Sequence, residues 1–304
     1  MNKALIIAGP TAVGKTALGI KLAQSLDGEI ISGDSMQIYR RLDIGTAKVS
    51  EDEKLTVPHH LIDINNVHEG FTAKDFKQHA NKLITEISGR NKLPIIVGGT
   101  GFYLKALVDN LELGGDFNLD SQRTNLRLSL DNLSEEVLRE ELLKVDPNSA
   151  NSIALGGKRR LIRALEVYRL TGNKFSEQPQ HAINIDSLVI GLNTERPLLY
   201  DRINQRVDQM IDSGLEKEAR WLFEQGNELQ PQKGIGYREW PLYWNQQISF
   251  PELLELIKKD SRNYAKRQLT WFRNKMDTNW FDLILQPDND QKRMNNLIKE
   301  WMNK

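Results

Sequence analysis

Apolar residues recur along this chain in two rhythms. Ala4-Leu5-Ile6-Ile7-Ala8, Glu29-Ile30-Ile31-Ser32 and Leu93-Pro94-Ile95-Ile96-Val97 are short apolar runs. Such runs, closed by glycines or turn residues, predict strands buried on both faces. Between the second and third, Phe76, Ala80, Leu83, Ile84 and Ile87 keep helical spacing. They predict a helix from about Ala73 to Arg90, opened by a capping-box-like start at Thr72 and Asp75. Strands alternating with helices predict a parallel sheet. After Asn110 the rhythm changes. Residues 115–185 carry amphipathic helices over Ser121–Asp131, Ser134–Val145 and Lys158–Leu170 and no convincing strand. A strand returns at Leu188-Val189-Ile190-Gly191-Leu192, followed by helices over Leu198–Ser213, Leu215–Glu224 and Pro251–Asp277. The predicted fold is α/β: a parallel-sheet core over 1–114 and 186–304, interrupted by a mostly helical insertion over 115–185.

The turn after the first strand gives that core its chemistry. Gly9-Pro10-Thr11-Ala12-Val13-Gly14-Lys15-Thr16 reads G-x-x-x-x-G-K-T. Placed between a strand and a helix, this is a P-loop, so the core is P-loop NTPase-like. Its backbone N–H groups and the helix N-terminus favour a di- or triphosphate. Lys15 reaches phosphate oxygens and the Thr16 hydroxyl ligates Mg²⁺. After the second strand comes Gly33-Asp34-Ser35-Met36-Gln37, where strand ends line the ligand crevice of an open sheet. Asp34 there fits a metal-water ligand, a general base, or a turn-forming Asp-Ser. An ATP hydrolase wants an apolar strand ending in an acid. Ile95-Ile96-Val97 ends instead in Gly98-Gly99-Thr100-Gly101, so group transfer is favoured over hydrolysis. Arg202 and Arg206, four apart on one helix face, and Arg220 on the next helix are candidates to neutralise a departing diphosphate. His59 and His60 point apart on a strand and are expected to be structural.

Composition narrows the class. The 304 residues include 41 basic and 41 acidic side chains and no cysteine. Disulfides and Cys-type zinc sites are thereby excluded, and a reducing cytoplasm fits. No window reaches the ~18 apolar residues of a membrane span, and no signal peptide is expected. The net charge of zero argues weakly against nucleic acid, yet the charge is unevenly spread. Lys158–Lys174 holds six Lys/Arg against Glu166 alone, and Arg262–Lys275 holds five and no acid. In the second stretch Tyr264, Trp271 and Phe272 alternate with cations. This suits single-stranded nucleic acid, or equally the buried stripe of a surface helix.

In this order the motifs resemble the bacterial tRNA dimethylallyltransferase (tRNA isopentenyltransferase) family. The resemblance rests on the P-loop, Asp34-Ser35-Met36-Gln37-Ile38-Tyr39, Asp43-Ile44-Gly45-Thr46-Ala47-Lys48 and Pro58-His59-His60-Leu61-Ile62-Asp63. It continues through Val97–Tyr103, Arg160–Glu166, Gly234-Ile235-Gly236-Tyr237-Arg238-Glu239 and Tyr264–Arg273. It implies transfer of a dimethylallyl group from dimethylallyl diphosphate to N6 of adenosine 37 of tRNA, with Mg²⁺. It also implies a cytoplasmic monomer that engages the anticodon stem-loop and no membrane. Asp34 becomes the general base. Thr100 positions the adenine, and Lys15, Arg206 and Thr16-bound Mg²⁺ stabilise the leaving diphosphate. Implied tRNA contacts are Asp34, Ser35, Met36, Gln37 and Thr100. Arg123, Arg159, Arg160, Leu161, Ile162 and Arg163 are implied in the insertion, and Lys233, Gly234, Ile235, Gly236, Tyr237 and Arg238 in the core. The last set is Lys266, Arg267, Gln268, Leu269, Thr270, Trp271, Phe272 and Arg273. Within enzymes the rivals are a small-molecule P-loop kinase and an adenylate isopentenyltransferase. A non-catalytic, nucleotide-gated RNA-binding module is the rival from another class.

Overall fold

A computed structural model describes residues 1–113, 120–177 and 185–304 of the chain. In chain order the elements are β1 (Asn2–Ala8), α1 (Lys15–Ser25), β2 (Gly28–Ser32), α2 (Glu51–Thr56), β3 (His59–His60), α3 (Ala73–Gly89), β4 (Leu93–Gly98) and α4 (Gly101–Val108). Then come α5 (Asp120–Asp131), α6 (Glu135–Val145), α7 (Pro147–Ser152) and α8 (Lys158–Thr171). The chain continues with β5 (Ile185–Leu192), α9 (Arg196–Asp212), α10 (Leu215–Glu224), α11 (Trp240–Trp244), α12 (Phe250–Lys275), β6 (Asn279–Phe281) and α13 (Pro287–Met302). It divides into two compact units, Met1–Asp109 with Ile183–Lys304, and Asn110–Ala182. The boundary expected at 114/115 lies outside the described residues.

The first unit is a six-stranded sheet in the order β3-β2-β4-β1-β5-β6. All its pairings are parallel. Leu5 of β1 stands between Ile95 of β4 and Leu188 of β5. Side chains alternate across a strand, and β1 shows why its run is apolar throughout. Ala4, Ile6 and Ala8 pack with Phe76, Ala80 and Ile84 of α3. Leu5 and Ile7 pack on the other face with Leu18 and Leu22 of α1 and Met294 and Ile298 of α13. Both faces are covered, so no polar alternation survives. The expected capping box of α3 is present: Thr72 accepts from the Asp75 N–H, and Asp75 accepts from the Thr72 N–H.

The second unit is helical. Leu130, Leu138, Leu142, Ala150, Ile153, Leu161, Ile162 and Leu165 form its buried core. Asp146 caps α7 and also accepts from the backbone and hydroxyl of Ser176 at 2.8 and 2.6 Å. Burial pushes its carboxyl up, but the hydrogen bonds from Ser149 and Ser176 outweigh that and hold it at about 2. Glu166 is fully buried, with Arg163 at 3.4 Å and Arg127 at 3.8 Å. The core position of Leu161 and Ile162 corrects their expected role. Their side chains are 0% and 1% exposed, so they hold α8 in place and offer no surface to RNA. Arg159 and Arg160, on the same helix, are exposed.

Candidate active site

Because the sheet is parallel, β1, β2 and β4 end at one edge and deliver three loops together. These loops line one cavity of about 1050 Å³ within the first unit. The P-loop follows β1. Gly9, Ala12 and Gly14 have φ of 147°, 63° and 100°, and this alternation folds the loop back on itself. Gly14 is the N-cap of α1, no side chain caps that end, and the first turn holds no acid. Its N–H groups are therefore left for an anion. Val13 is buried in the core and can serve a ligand only through its backbone.

Lys15 bends back so that Nζ donates to the Pro10 carbonyl at 2.6 Å. Burial, with Arg206 nearby, pulls its ammonium down to about 7, and Asp34 opposes the shift. Arg206 is likewise lowered by burial and supported by Asp34. Two buried cations, with Asp34 supporting the charge of both, form a site suited to an anion. Arg202 donates instead to the Ala12 carbonyl at 2.9 Å, bracing the P-loop from α9. The two arginines four apart thus do different work.

The β2 and β4 ends approach closely. A Cβ on Gly98 would lie 2.3 Å from the Gly33 carbonyl oxygen. Asp34 Oδ1 accepts from the Met36 N–H at 2.8 Å, an Asx turn that fixes the carboxylate. Thr100 Oγ1 accepts from the Ser35 N–H at 3.0 Å. Asp34, Ser35, Met36 and Gln37 all line the cavity, as do Lys233–Arg238, Arg267 and Gln268. His60 is structural, bonded to buried Glu29 at 2.7 Å, and His59 Nδ1 meets the Val57 carbonyl at 2.7 Å.

The helix α12 segment separates into two sets. Lys266, Arg267, Thr270 and Arg273 are exposed. Phe272 is 0% exposed in the main core, which corrects its expected place on an RNA surface. Trp271 is partly buried, its ring so near Gly101 that a Cβ there would sit 2.3 Å away. Tyr237 lines the cavity while almost wholly enclosed. It is buried, its hydroxyl donates to Glu218 at 2.7 Å, and burial with that carboxylate pushes its phenol well up.

Glu218 was not legible as a site residue. Its carboxylate accepts from the N–H groups of Asp43, Ile44 and Gly45 at 2.7, 2.8 and 2.8 Å. It thereby ties the cavity-lining Asp43–Lys48 loop to α10 and Tyr237. No local pattern marks a partner 173 residues away. Glu218→Ala should cost about 2–3 kcal/mol of stability, since charged hydrogen bonds are lost and amides orphaned. A lower urea midpoint at unchanged slope is the expected result, and an unchanged midpoint would contradict it.

Among the described residues no group of three or more His, Cys, Asp or Glu could cage a metal. Mg²⁺ needs no such cage, because it takes few protein ligands and completes its shell with phosphate oxygens and water. The Thr16 hydroxyl, on the cavity wall next to Lys15, fits that limited role. No described helix is long and apolar enough to cross a membrane.

A tRNA dimethylallyltransferase of Limosilactobacillus reuteri (strain DSM 20016) is 56% identical over 309 residues, covering 100% of both chains. One of Pediococcus pentosaceus is 53% identical over 303 residues, covering 99% of this chain and 97% of that one. The crystal structure of a tRNA isopentenylpyrophosphate transferase of Bacillus halodurans superposes with a TM-score of 0.75 at 42% identity, over 100% and 98% of the two chains. A eukaryotic dimethylallyltransferase acting on tRNA superposes at 0.84 with 29% identity, over 99% of this chain and 80% of that one. The sequence pattern described as IPP transferase matches residues 37–275. With most of its length matched and full-length relatives above half identity, the chain belongs to the IPP transferase family.

Proposed function

We propose that this protein transfers a dimethylallyl group from dimethylallyl diphosphate to N6 of adenosine 37 in the anticodon stem-loop of tRNA. The observation that carries the reading is one cavity holding a cationic P-loop pole, Lys15 with Arg206, and a carboxylate, Asp34. The strand beside the P-loop ends in Gly98-Gly99 with no acid to activate water.

In the reaction the allylic C1–O bond breaks and its electron pair leaves with the diphosphate. Lys15, Arg206 and the P-loop amides meet the charge that develops there. The N6 lone pair forms the new bond to C1. It is a weak nucleophile because it is delocalised into the ring, so loss of its proton must accompany bonding. Asp34 accepts that proton. Thr100, already bonded to the Ser35 backbone, holds the acceptor side. The adenine must leave its stack, at a few kcal/mol, less in a single-stranded loop. The Thr16 hydroxyl would hold Mg²⁺, which would supply further positive charge for the leaving diphosphate.

Exposed Lys266, Arg267, Thr270 and Arg273 on α12, with Arg123, Arg159, Arg160 and Arg163 of the helical unit, supply the phosphate contacts. The core then serves donor binding, catalysis and part of the tRNA surface, and the helical unit serves tRNA binding. The protein acts on tRNA in the cytoplasm, as a monomer. The test is incubation with Mg²⁺, labelled dimethylallyl diphosphate and an anticodon stem-loop with adenosine at positions 36 to 38. Label in RNA, lost when adenosine 37 becomes guanosine, is expected. Label only in an AMP control would mean an adenylate isopentenyltransferase. Phosphate transfer from ATP to a metabolite would mean a kinase.

A further inference from the structure

Helix α12 turns one flank onto two of the cavity loops. Gln268 is buried there and uses both ends of its carboxamide. Its Oε1 accepts from the Thr11 N–H of the P-loop at 3.0 Å, and its Nε2 donates to the Gly99 carbonyl at 2.9 Å. Space for this exists because residue 99 has no side chain: a Cβ would sit 2.3 Å from Nε2. One turn earlier, Tyr264 lines the same cavity. Thr100 holds the Ser35 backbone, next to Asp34. Two hydrogen bonds of Gln268, the Gly99-Thr100 backbone and the Thr100–Ser35 bond thus connect the P-loop to the residue beside Asp34, and among the described residues Gln268 is the single side chain bonded to both loops' backbones.

We infer that Gln268 is a positioning residue that sets the distance between the P-loop and the Gly98–Gly101 loop, and so between the departing diphosphate and the acceptor amine. The identity of those two substrates rests on the prenyl-transfer reading; the positioning itself does not. The chemistry of the site calls for a carboxamide. One acceptor must face an N–H and one donor must face a carbonyl, back to back. A carboxylate has no donor, so it would set a negative oxygen against the Gly99 carbonyl and add negative charge beside the diphosphate. A protonated carboxyl regains both bonds, with O–H donating to Gly99 and C=O accepting from Thr11.

The experiment compares the full-length parent with Gln268→Ala and Gln268→Glu. Misplacement of this kind costs about 10²-fold in turnover, so Gln268→Ala should lose about that much kcat while KM for RNA stays near the parent value. Gln268→Glu should be as impaired at high pH. Its kcat relative to the parent, taken at each pH, should climb as pH falls, while the Gln268→Ala ratio stays flat. A merely structural residue would lower the melting temperature of both variants and leave these ratios unmoved at assay temperature, which would overturn the inference. Binding of inorganic pyrophosphate to all three proteins is measured in parallel, because it needs no RNA. Weaker binding by Gln268→Glu that recovers at low pH supports the strut even if the parent prenylates no RNA, an outcome that would sink only the substrate reading. Parent-like pyrophosphate affinity in both variants at every pH would overturn the strut itself.

Discussion

Replacing Asp34 by Asn should lower kcat by about 10²- to 10⁴-fold, the range for a lost general base, with RNA affinity unchanged. The structure makes this substitution unusually clean. The Asn side-chain oxygen can still accept from the Met36 N–H, now bonded at 2.8 Å, so the Asx turn and the Ser35–Thr100 contact survive. What goes is the basicity. One secondary effect must be separated. Asp34 supports the charge on Lys15 and Arg206, so the Asn variant holds Lys15 protonated only to a lower pH than the parent. Turnover should therefore be compared at saturating donor and below pH 7. RNA binding lost with chemistry intact on a minimal acceptor would reverse the assignment and make Asp34 a docking residue.

Much of this architecture is legible in the sequence, and the parts that are not share a cause. Elements that bury a dense apolar stripe announce themselves: α10 runs over the expected Leu215–Glu224, and α3 ends one residue short of its expected close. Elements whose identity depends on distant partners do not. β3 is two residues long and exists through pairing with Ile30 and Ile31. β6 is three residues, laid against Ile190–Leu192. α13 has apolar positions Met294, Ile298 and Trp301 in a polar sequence, and only contact with the sheet's far face defines them. The site divides in the same way. Asp34 and Thr100 sit in loops, and Lys15 opens α1 at the end of another, where local sequence dictates the form. Glu218 and Gln268 act on backbone groups 173 and 257 residues away, where sequence spacing carries no signal. The contiguous runs Arg159–Arg163 and Lys266–Arg273 overreached for a geometric reason. A helix turns successive residues by about 100°, so any unbroken run includes core positions such as Leu161, Ile162 and Phe272.

Removing the Lys15 ammonium should produce the second large effect, a loss of about 10²- to 10³-fold in kcat, as for other lost donors to a developing oxyanion, with weaker donor binding. Its pH dependence is the sharper test. Burial and Arg206 bring Lys15 to about 7. A bound diphosphate is its counter-ion and must raise that value, so binding is fully favoured below about 7 and fades as pH rises above it. The fall should approach about tenfold per pH unit for a single linked proton, until the raised value of the complex is reached. Diphosphate titrates too, so parent and Lys15→Ala are compared with the same ligand. Titration calorimetry in two buffers of different ionisation heat should show proton uptake by the parent above pH 7 that the variant lacks. Equal uptake in both would assign the proton elsewhere. Stability should move the opposite way. A folded-state value below the unfolded one means that the protonated lysine is disfavoured by folding, a cost fully present below about 7 and relieved as pH rises toward the ordinary lysine range. Lys15→Ala should therefore melt no lower than the parent at neutral pH, so its inactivity cannot be put down to unfolding. A cation kept where it strains the fold is then explained by the anion that it meets.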